Sequence, residues 1–188
     1  MLNLPNTLTL LRILTIPLFL GYLAYNRYLE ALVVFAIGGL TDFLDGLTAR
    51  LMNQQTALGA YLDPVADKLL VITSFTMLSS MGGIPTWLAV IVVARDILIL
   101  VGYGVIYVSI EERLEVRPSR IGKCSTTLQL LTLAVALALL HDPTLFSADL
   151  LTVFVGLTAL ATIVSGCHYL YQGLVWFQRK APSMSPPG

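Results

Sequence analysis

The sequence predicts an all-α integral membrane domain with six transmembrane helices. Its composition is 56% hydrophobic and only 12% charged, which does not suit a water-soluble domain with an ordinary charged surface. Long apolar runs recur at about 7–26, 29–50, 59–81, 84–109, 123–140 and 148–177. Each run is near or above the roughly 20 residues that a membrane-spanning helix requires. We therefore expect one membrane domain over residues 1–178, followed by a disordered tail rich in Pro and Ser at 179–188.

The positions of the basic residues predict how this domain is oriented. If all six helices span the membrane, both termini and the second and fourth loops lie on one side, and the opposite loops carry only Arg27. The side with the termini holds Arg50, Arg113, Arg117, Arg120, Lys123, Arg179 and Lys180. Because Lys and Arg are concentrated in cytoplasmic loops, both termini should face the cytoplasm. The first run has no basic leader and exceeds a signal-peptide core in length, so we expect a retained helix.

The segments between the runs fit these helices in order. Pro5 and Asn6 form a polar turn before the first run, which resembles a helix start near the membrane interface. The short polar segment "LMNQQTALG" predicts an antiparallel hairpin of the second and third helices. The uncharged segment "SSMGGIPTW" suits an outside loop, with Trp87 in the interfacial aromatic belt. The charged segment "IEERLEVRPSRIGK" joins the fourth and fifth runs on the cytoplasmic side.

The two cysteines give no sign of a disulfide or metal framework. Cys124 and Cys167 fall in predicted helices without CxxC spacing, so we interpret them as small buried residues. The sequence also shows no internal repeat, Gly-rich phosphate loop or nucleic-acid-binding module. We therefore expect no nucleic-acid partner.

Four carboxylates stand out in the segment "TDFLDGLTARLMNQQTALGAYLDPVADKLL". Asp42 and Asp45 are three residues apart at the end of the second run, and Asp63 and Asp67 are four apart near the start of the third. These spacings place each pair on one helix face, and a hairpin lets the two pairs meet. One aspartate costs about 2.5–3.5 kcal/mol at the middle of a membrane. Four of them therefore require compensating charge.

Divalent metal is the main interpretation of this acidic group. Arg50 and Lys68 are the cations close to it in sequence, so two positive charges face four negative ones. Oxygen ligands of this kind suit Mg²⁺ or Mn²⁺ rather than zinc. The alternative is a structural cluster of interfacial charges that reach toward water.

Small residues between the acids suggest that an anion approaches the backbone. Gly46 follows Asp45, and Gly59 lies one turn before Asp63, so a bulky group could come close there. Arg50 could donate paired hydrogen bonds to a diphosphate. Alternatively, the glycines and a nearby alanine allow close helix packing. The two interpretations are compatible.

These residues resemble the signature of the CDP-alcohol phosphotransferase family. The pattern D-x2-D-G-x2-A-R-x8-G-x3-D-x3-D is matched at every fixed position by Asp42, Asp45, Gly46, Ala49, Arg50, Gly59, Asp63 and Asp67. With six helices in a chain of this size, the resemblance covers nearly the whole sequence. It implies a transferase that moves a phosphatidyl group from CDP-diacylglycerol to an alcohol and releases CMP. Its active site would lie in the cytoplasmic half of a bilayer such as the bacterial inner membrane.

The resemblance also implies roles for individual residues. Members of the family look like two-metal enzymes, so Asp42, Asp45 and Asp63 would hold two Mg²⁺ or Mn²⁺ ions. Asp67 would be a further ligand or the catalytic base for the attacking hydroxyl. The residues expected to border CDP-diacylglycerol are Gly46, Arg50 and Gly59, with Asn6 and Thr56 as weaker candidates. A homodimer is compatible with the resemblance.

Polar residues inside the fourth and fifth runs suggest a site for the acceptor. Arg95 and Asp96 interrupt the fourth run, and Arg120 and Lys123 begin the fifth. We interpret Arg95, Lys123 and Arg120 as binding the acceptor's phosphate, because such cations line anion sites. The alternative for Arg95 is an internal salt bridge with Asp96 or another aspartate.

The acceptor itself is predicted from the same resemblance. "NLPNTLTLLR" and "LGAYLDPVADKLL" resemble the branch that makes phosphatidylglycerophosphate or cardiolipin. "GIPTWL", "ARDILIL" and "GKCSTTLQ" are more similar to cardiolipin synthases, which favours phosphatidylglycerol over glycerol 3-phosphate as acceptor. A different class, a divalent-cation transporter, would place polar residues at several depths, whereas these acids cluster near one face.

Overall fold

The computed structural model describes residues 4–52, 57–109 and 120–180, and side chains within 14–39, 67–102, 120–147 and 149–175 together with residues 41 and 104. In these residues it contains six helices and no strand. The helices are α1 (Leu4–Ala24), α2 (Tyr28–Met52), α3 (Ala57–Ser80), α4 (Thr86–Ser109), α5 (Arg120–His141) and α6 (Ala148–Lys180). The prediction of six helices is confirmed, and each predicted boundary lies within three residues of the observed one. Helix α6 includes the first two residues of the predicted tail, and residues 181–188 lie outside the described part of the chain.

The turn between α1 and α2 is a Schellman motif built around Asn26. Asn26 has a left-handed φ of 56°, which Asn tolerates better than most residues. Its N–H donates to the Leu23 carbonyl at 2.9 Å, and the N–H of Arg27 donates to the Tyr22 carbonyl at 2.8 Å. These bonds satisfy carbonyls that the helix end leaves without partners, and they reverse the chain direction.

The turn between α3 and α4 repeats this motif with a glycine. Gly82 has a φ of 75°, and its N–H donates to the Ser79 carbonyl at 3.1 Å. The N–H of Gly83 donates to the Leu78 carbonyl at 2.9 Å. Pro85 then precedes the first residue of α4, where a missing N–H costs nothing.

The turn between α5 and α6 is fixed by Asp142. Its Oδ1 accepts hydrogen bonds from the Thr144 hydroxyl at 2.7 Å and from the Thr144 N–H at 2.9 Å. These two bonds stabilise the charged carboxylate and lower the pKa of Asp142 below its ordinary value.

The helices enclose one apolar core. Helix α1 packs on α2 and α3, α3 packs on α4 and α5, α2 packs on α5, and α6 packs on α4 and α5. The largest fully buried apolar side chains are Phe19, Leu23, Phe75, Leu78, Leu88, Val92, Leu133 and Leu137. On α3 and α4 these residues recur at spacings of three and four, so each helix turns one stripe toward the core.

The outer faces of the helices are also apolar. Large exposed residues include Leu14, Leu18, Val33, Ile37, Val90, Val101, Leu131, Leu157, Leu160, Ile163 and Leu174. Within the described residues, Arg120–His141 and Asp149–Val175 are long and apolar enough to cross a membrane, and Leu14–Ala24 and Tyr28–Gly39 are shorter apolar helices. A surface of this kind fits lipid better than water.

The prediction that both cysteines are buried is wrong, although both are free thiols as expected. Cys124 on α5 and Cys167 on α6 are exposed. A small apolar residue suits either the core or a lipid-facing surface, so its presence in an apolar helix does not indicate which side it occupies.

The two glycines Gly82 and Gly156 should respond oppositely to substitution by alanine. Among the described residues, neither position has a neighbouring atom within 4 Å of an added Cβ, so steric contact does not distinguish them. Gly82→Ala forces an L side chain into a left-handed conformation and should cost about 1–2 kcal/mol. Gly156→Ala lies inside α6 and should stabilise by about 0.5–1 kcal/mol. Thermal unfolding midpoints in detergent should fall for Gly82→Ala and rise for Gly156→Ala, and equal shifts of one sign would contradict this account.

Candidate active site

The helix bounds place the two aspartate pairs at matching distances from consecutive helix ends. Counted back from Met52, Asp42 is ten residues and Asp45 seven residues from the end of α2. Counted from Ala57, Asp63 is six residues and Asp67 ten residues from the start of α3. At 1.5 Å per residue, Asp42 and Asp67 lie about 15 Å from these ends, and Asp45 and Asp63 lie about 10 Å from them.

Most of the residues predicted to bind metal or nucleotide have side chains that the structure does not describe. These are Asn6, Asp42, Asp45, Gly46, Arg50, Gly59 and Asp63, while Thr56 lies outside the described residues altogether. Asp67 is described, is half-buried, and has an interaction partner. The metal and nucleotide assignments therefore stay predictions.

Directly after Asp67, the chain contributes a lysine to a buried ion cluster, which we define as Lys68, Arg95, Asp96 and Ser165. The ammonium of Lys68 lies 2.8 Å from Asp96 Oδ1. Arg95 Nη1 donates to the same oxygen at 2.6 Å. Arg95 is 5% exposed and Asp96 is fully buried, so their ion pair forms away from solvent, while Lys68 is partly buried. One carboxylate oxygen thus joins a cation of α3 to a cation of α4.

Helix α6 completes the cluster by holding the guanidinium of Arg95. The Ser165 hydroxyl accepts hydrogen bonds from Arg95 Nη2 at 2.7 Å and from Arg95 Nε at 3.3 Å. The same guanidinium lies 5.8 Å from the centre of the Tyr169 ring, within the range of a cation–π interaction. Arg95 is therefore bonded on the α4 side and on the α6 side.

The cluster lies halfway along the helices that carry it. Lys68 is the twelfth of 24 residues in α3, and Asp96 is the eleventh of 24 in α4. Charges buried among apolar residues are costly unless they are paired. Removing one partner of a buried ion pair is more damaging than replacing the whole pair, because it leaves a charge without compensation.

The alternative interpretation of Arg95 is confirmed, because it forms a salt bridge with Asp96. Its predicted role in binding the acceptor stays a prediction. The three predicted acceptor residues differ in access, since Arg95 is enclosed while Arg120 and Lys123 are exposed at the start of α5. Lys68, which the sequence suggested as a counter-charge to the motif, shares its charge with Asp96.

Sequence reasoning noted Ser125 and Gln129 as polar residues of the fifth run but missed Ser165, its polar neighbours on α6 and the contacts between the two helices. Ser125, Gln129 and Thr132 face Thr158, Thr162 and Ser165, and all six are fully buried. Thr132 and Thr158 share a hydrogen bond of 2.7 Å, and Thr162 bonds Ser125 at 3.2 Å and Gln129 Nε2 at 3.3 Å. Such bonds hold membrane helices together. The shared spacing of four and then three residues on both helices was the signal that could have found them.

Comparison with known proteins identifies the class to which this fold and motif belong. Residues 2–165 match the family model described as CDP-alcohol phosphatidyltransferase. The chain therefore belongs to the CDP-alcohol phosphatidyltransferase family, a membrane-associated enzyme family. The family and enzyme class predicted from the motif are confirmed.

Individual relatives carry two different names. A probable phosphatidylglycerophosphate synthase of Mycobacterium tuberculosis is 32% identical over 178 residues, which cover 92% of this chain and 82% of that protein. A human cardiolipin synthase (CMP-forming) is 34% identical over 190 residues, covering 89% of this chain and 61% of that protein. A CDP-diacylglycerol–glycerol-3-phosphate 3-phosphatidyltransferase of Pseudomonas fluorescens is 46% identical over 103 residues, about half of each chain.

Asp96 should be among the most sensitive positions for stability. Asp96→Ala leaves the buried Arg95 and the partly buried Lys68 without their shared carboxylate, so it should destabilise by about 3–5 kcal/mol. The matched control is Asp149→Asn, which removes a charge from the exposed first turn of α6 and should change stability by no more than about 0.5 kcal/mol. Chemical unfolding in detergent compares the two variants. Equal stability losses in the two variants would show that the ion pairs of Asp96 do not stabilise the fold.

Proposed function

We propose that this chain is a metal-dependent membrane phosphatidyltransferase that transfers the phosphatidyl group of CDP-diacylglycerol to an alcohol and releases CMP. The observation that carries the proposal is the complete eight-residue motif on α2 and α3, within a chain that matches the family over residues 2–165. The names of the relatives, which are phosphatidyltransferases and CMP-forming synthases, support it.

Six membrane spans with both termini in the cytoplasm are part of the proposal. Six helices of 21 to 33 residues and their apolar outer faces support six spans. The basic residues on the side of the termini support the orientation. With this topology the start of α3 and the end of α2 are cytoplasmic, so the motif lies in the cytoplasmic half of the membrane.

The donor set of the motif fits two divalent cations. Asp42, Asp45 and Asp63 would hold Mg²⁺ or Mn²⁺, with Asp67 as a further ligand or as the base, because these ions prefer carboxylate oxygens. The charge of Lys68 is shared with Asp96, which strengthens the case that the acids need another source of positive charge. When bound, such ions would neutralise the diphosphate of the substrate.

The residues of the motif would have different roles in the substitution at phosphorus. Asp67 accepts the proton of the acceptor hydroxyl, and the freed oxygen attacks the phosphorus that carries diacylglycerol. The bond from this phosphorus to the bridging oxygen breaks, and CMP leaves with the electron pair. Arg50, Gly46 and Gly59 would border the CDP group, with Asn6 and Thr56 as weaker candidates for the same pocket.

Phosphatidylglycerol is the acceptor that we propose, which makes cardiolipin the product. A phosphodiester carries one negative charge and needs fewer cations than the phosphate of glycerol 3-phosphate. Asp96 already offsets much of the charge of Arg95. Among the described residues, no neighbouring atom lies within 4 Å of a Cβ added at Gly102 or Gly104, so α4 leaves space beside each of these positions for acyl chains. Glycerol 3-phosphate is the second candidate, because the 46% identical relative is named for it.

A divalent-cation transporter is less well supported. The family match names a transferase, and the four aspartates occupy one stretch of α2 and α3 rather than several depths along the chain.

Purified protein with CDP-diacylglycerol, Mn²⁺ and a panel of acceptors should release CMP only when an acceptor is present. We expect labelled phosphatidylglycerol to yield cardiolipin and glycerol 3-phosphate to yield little product, as measured by lipid analysis. Conversion of glycerol 3-phosphate alone would reverse the choice of acceptor but keep the transferase. Metal flux across sealed vesicles without CMP release would favour the transporter instead.

Asp67→Asn keeps the side-chain shape without its basicity, so it serves as the control and should lower turnover by about 10²–10⁴-fold.

Removing divalent metal should affect both activity and stability. Without cations the clustered acids repel one another, so a chelator should abolish CMP release and lower the thermal unfolding midpoint. Excess Mg²⁺ or Mn²⁺ should restore both quantities, whereas the same concentration of a monovalent salt should not. Full turnover in excess chelator would contradict the two-metal assignment.

A further inference from the structure

We propose that Lys68 and Asp96 form a positioning pair that fixes the rotation of α3 about its own axis and thereby directs Asp67 toward the reacting groups. The inference rests on the proposed function, because it assumes that Asp67 serves the transfer reaction. It assigns a role to Lys68 and Asp96, neither of which belongs to the eight-residue motif.

The position of Lys68 next to Asp67 makes the coupling direct. Consecutive residues of an α-helix are separated by about 100° around its axis, so a helix that is fixed at Lys68 is also fixed at Asp67. Lys68 also precedes Val71, Phe75 and Leu78 at spacings of three, four and three, which places it on the buried stripe of α3. The ammonium thus extends from the core-facing side of the helix to Asp96 on α4.

Apolar packing alone does not determine this rotation well. The hydrophobic effect is non-directional, so it restrains rotation less sharply than a directional bond does. A charge-assisted hydrogen bond of 2.8 Å is directional and is stronger than a neutral one. A catalytic group must be held within about 0.5 Å and 10–20° of its productive geometry. An ion pair one residue away supplies that kind of restraint.

The anchor on α4 is itself held in place. Asp96 Oδ1 also accepts from Arg95 Nη1 at 2.6 Å, and Arg95 is bonded to Ser165 of α6 at 2.7 Å. Lys68 is therefore tied through Asp96 and Arg95 to two other helices. Because Arg95 still pairs with Asp96 after Lys68 loses its charge, Lys68→Met interrupts the restraint on α3 without leaving the carboxylate unpaired.

Lys68→Met is the first variant of the test, compared with wild type in the CDP-diacylglycerol assay. It keeps most of the length of the side chain, as an unbranched apolar chain, and removes the ammonium. We expect kcat to fall by about 10- to 100-fold, because a displacement of 1 Å can cost about 10²-fold. The KM for CDP-diacylglycerol should change less than about threefold, since the lost interaction is one of alignment. Lys68→Arg should recover most of kcat, because its guanidinium also donates to a carboxylate.

Thr158→Val is the matched control for a loss of stability alone. It removes the 2.7 Å hydrogen bond to Thr132 between α5 and α6, outside the ion cluster. Its unfolding midpoint should fall while kcat stays within about twofold of wild type. If Thr158→Val lowered kcat as much as Lys68→Met, the effect of Lys68 would be one of general stability, and the positioning pair would be wrong.

A double-mutant cycle tests whether Lys68 and Asp96 act together. If they do, Lys68→Met combined with Asp96→Asn should lose no more kcat than the worse single variant. If the fold-decrease in kcat of the double variant equals the product of the two single decreases, the residues act separately and the positioning pair is wrong.

A binding measurement tests the same pair without turnover. The Mn²⁺ concentration that gives half of the maximal increase in unfolding midpoint should rise severalfold in Lys68→Met and stay unchanged in Thr158→Val, because a rotated α3 presents its acids differently. An unchanged Mn²⁺ response together with unchanged kcat would overturn the pair. A wild-type protein that releases no CMP would instead contradict the proposed function, whereas an active wild type with an equally active Lys68→Met contradicts only the positioning pair.

Discussion

The constraint on which this structure depends is that charge inside an apolar helical bundle must be paired. Lys68, Arg95 and Asp96 lie near the middle of α3 and α4, and Arg95 and Asp96 are buried there away from water. In the folded chain two cations contact one oxygen of Asp96, and the Ser165 hydroxyl of α6 accepts a hydrogen bond from Arg95. Because these partners belong to three helices, the pairing also fixes how the helices are arranged. Packing, by contrast, is shared among many apolar contacts, none of which specifies a register by itself.

Much of the fold could be predicted because its signals are local. An apolar run of about 20 residues or more is long enough to form a membrane-spanning helix, and few other structures suit such a run. Every helix boundary was accordingly predicted to within three residues. The motif was equally readable, since its spacings are short and its residue types are unusual in apolar surroundings. The burial of Cys124 and Cys167 was not, because the inner and outer faces of these helices are both apolar. Hydropathy separates lipid from water but does not separate lipid from core.

The ion cluster could be predicted only in part, and the physical reason differs from the one that applies to the cysteines. The pairing of Arg95 with Asp96 was one of two interpretations, since adjacent opposite charges can meet without any tertiary structure. The pairing of Lys68 with Asp96 joins residues 28 positions apart, and that of Arg95 with Ser165 joins residues 70 apart. Such contacts depend on how α3, α4 and α6 are rotated and shifted against one another. A single sequence contains the partners but not their register.

Pairing also explains why the chain separates its acids into two groups that behave differently. Asp96 has two cations supplied by the protein at its Oδ1, so it can serve as a fixed point of the bundle. The four aspartates of the motif outnumber the cations near them in sequence, and one of those cations, Lys68, already shares its charge with Asp96. A group of acids left short of positive charge is suited to binding cations that arrive from solution. The residue that follows the last of these acids, Lys68, is the one that contacts Asp96, so the ion cluster can hold α3 in place beside the motif.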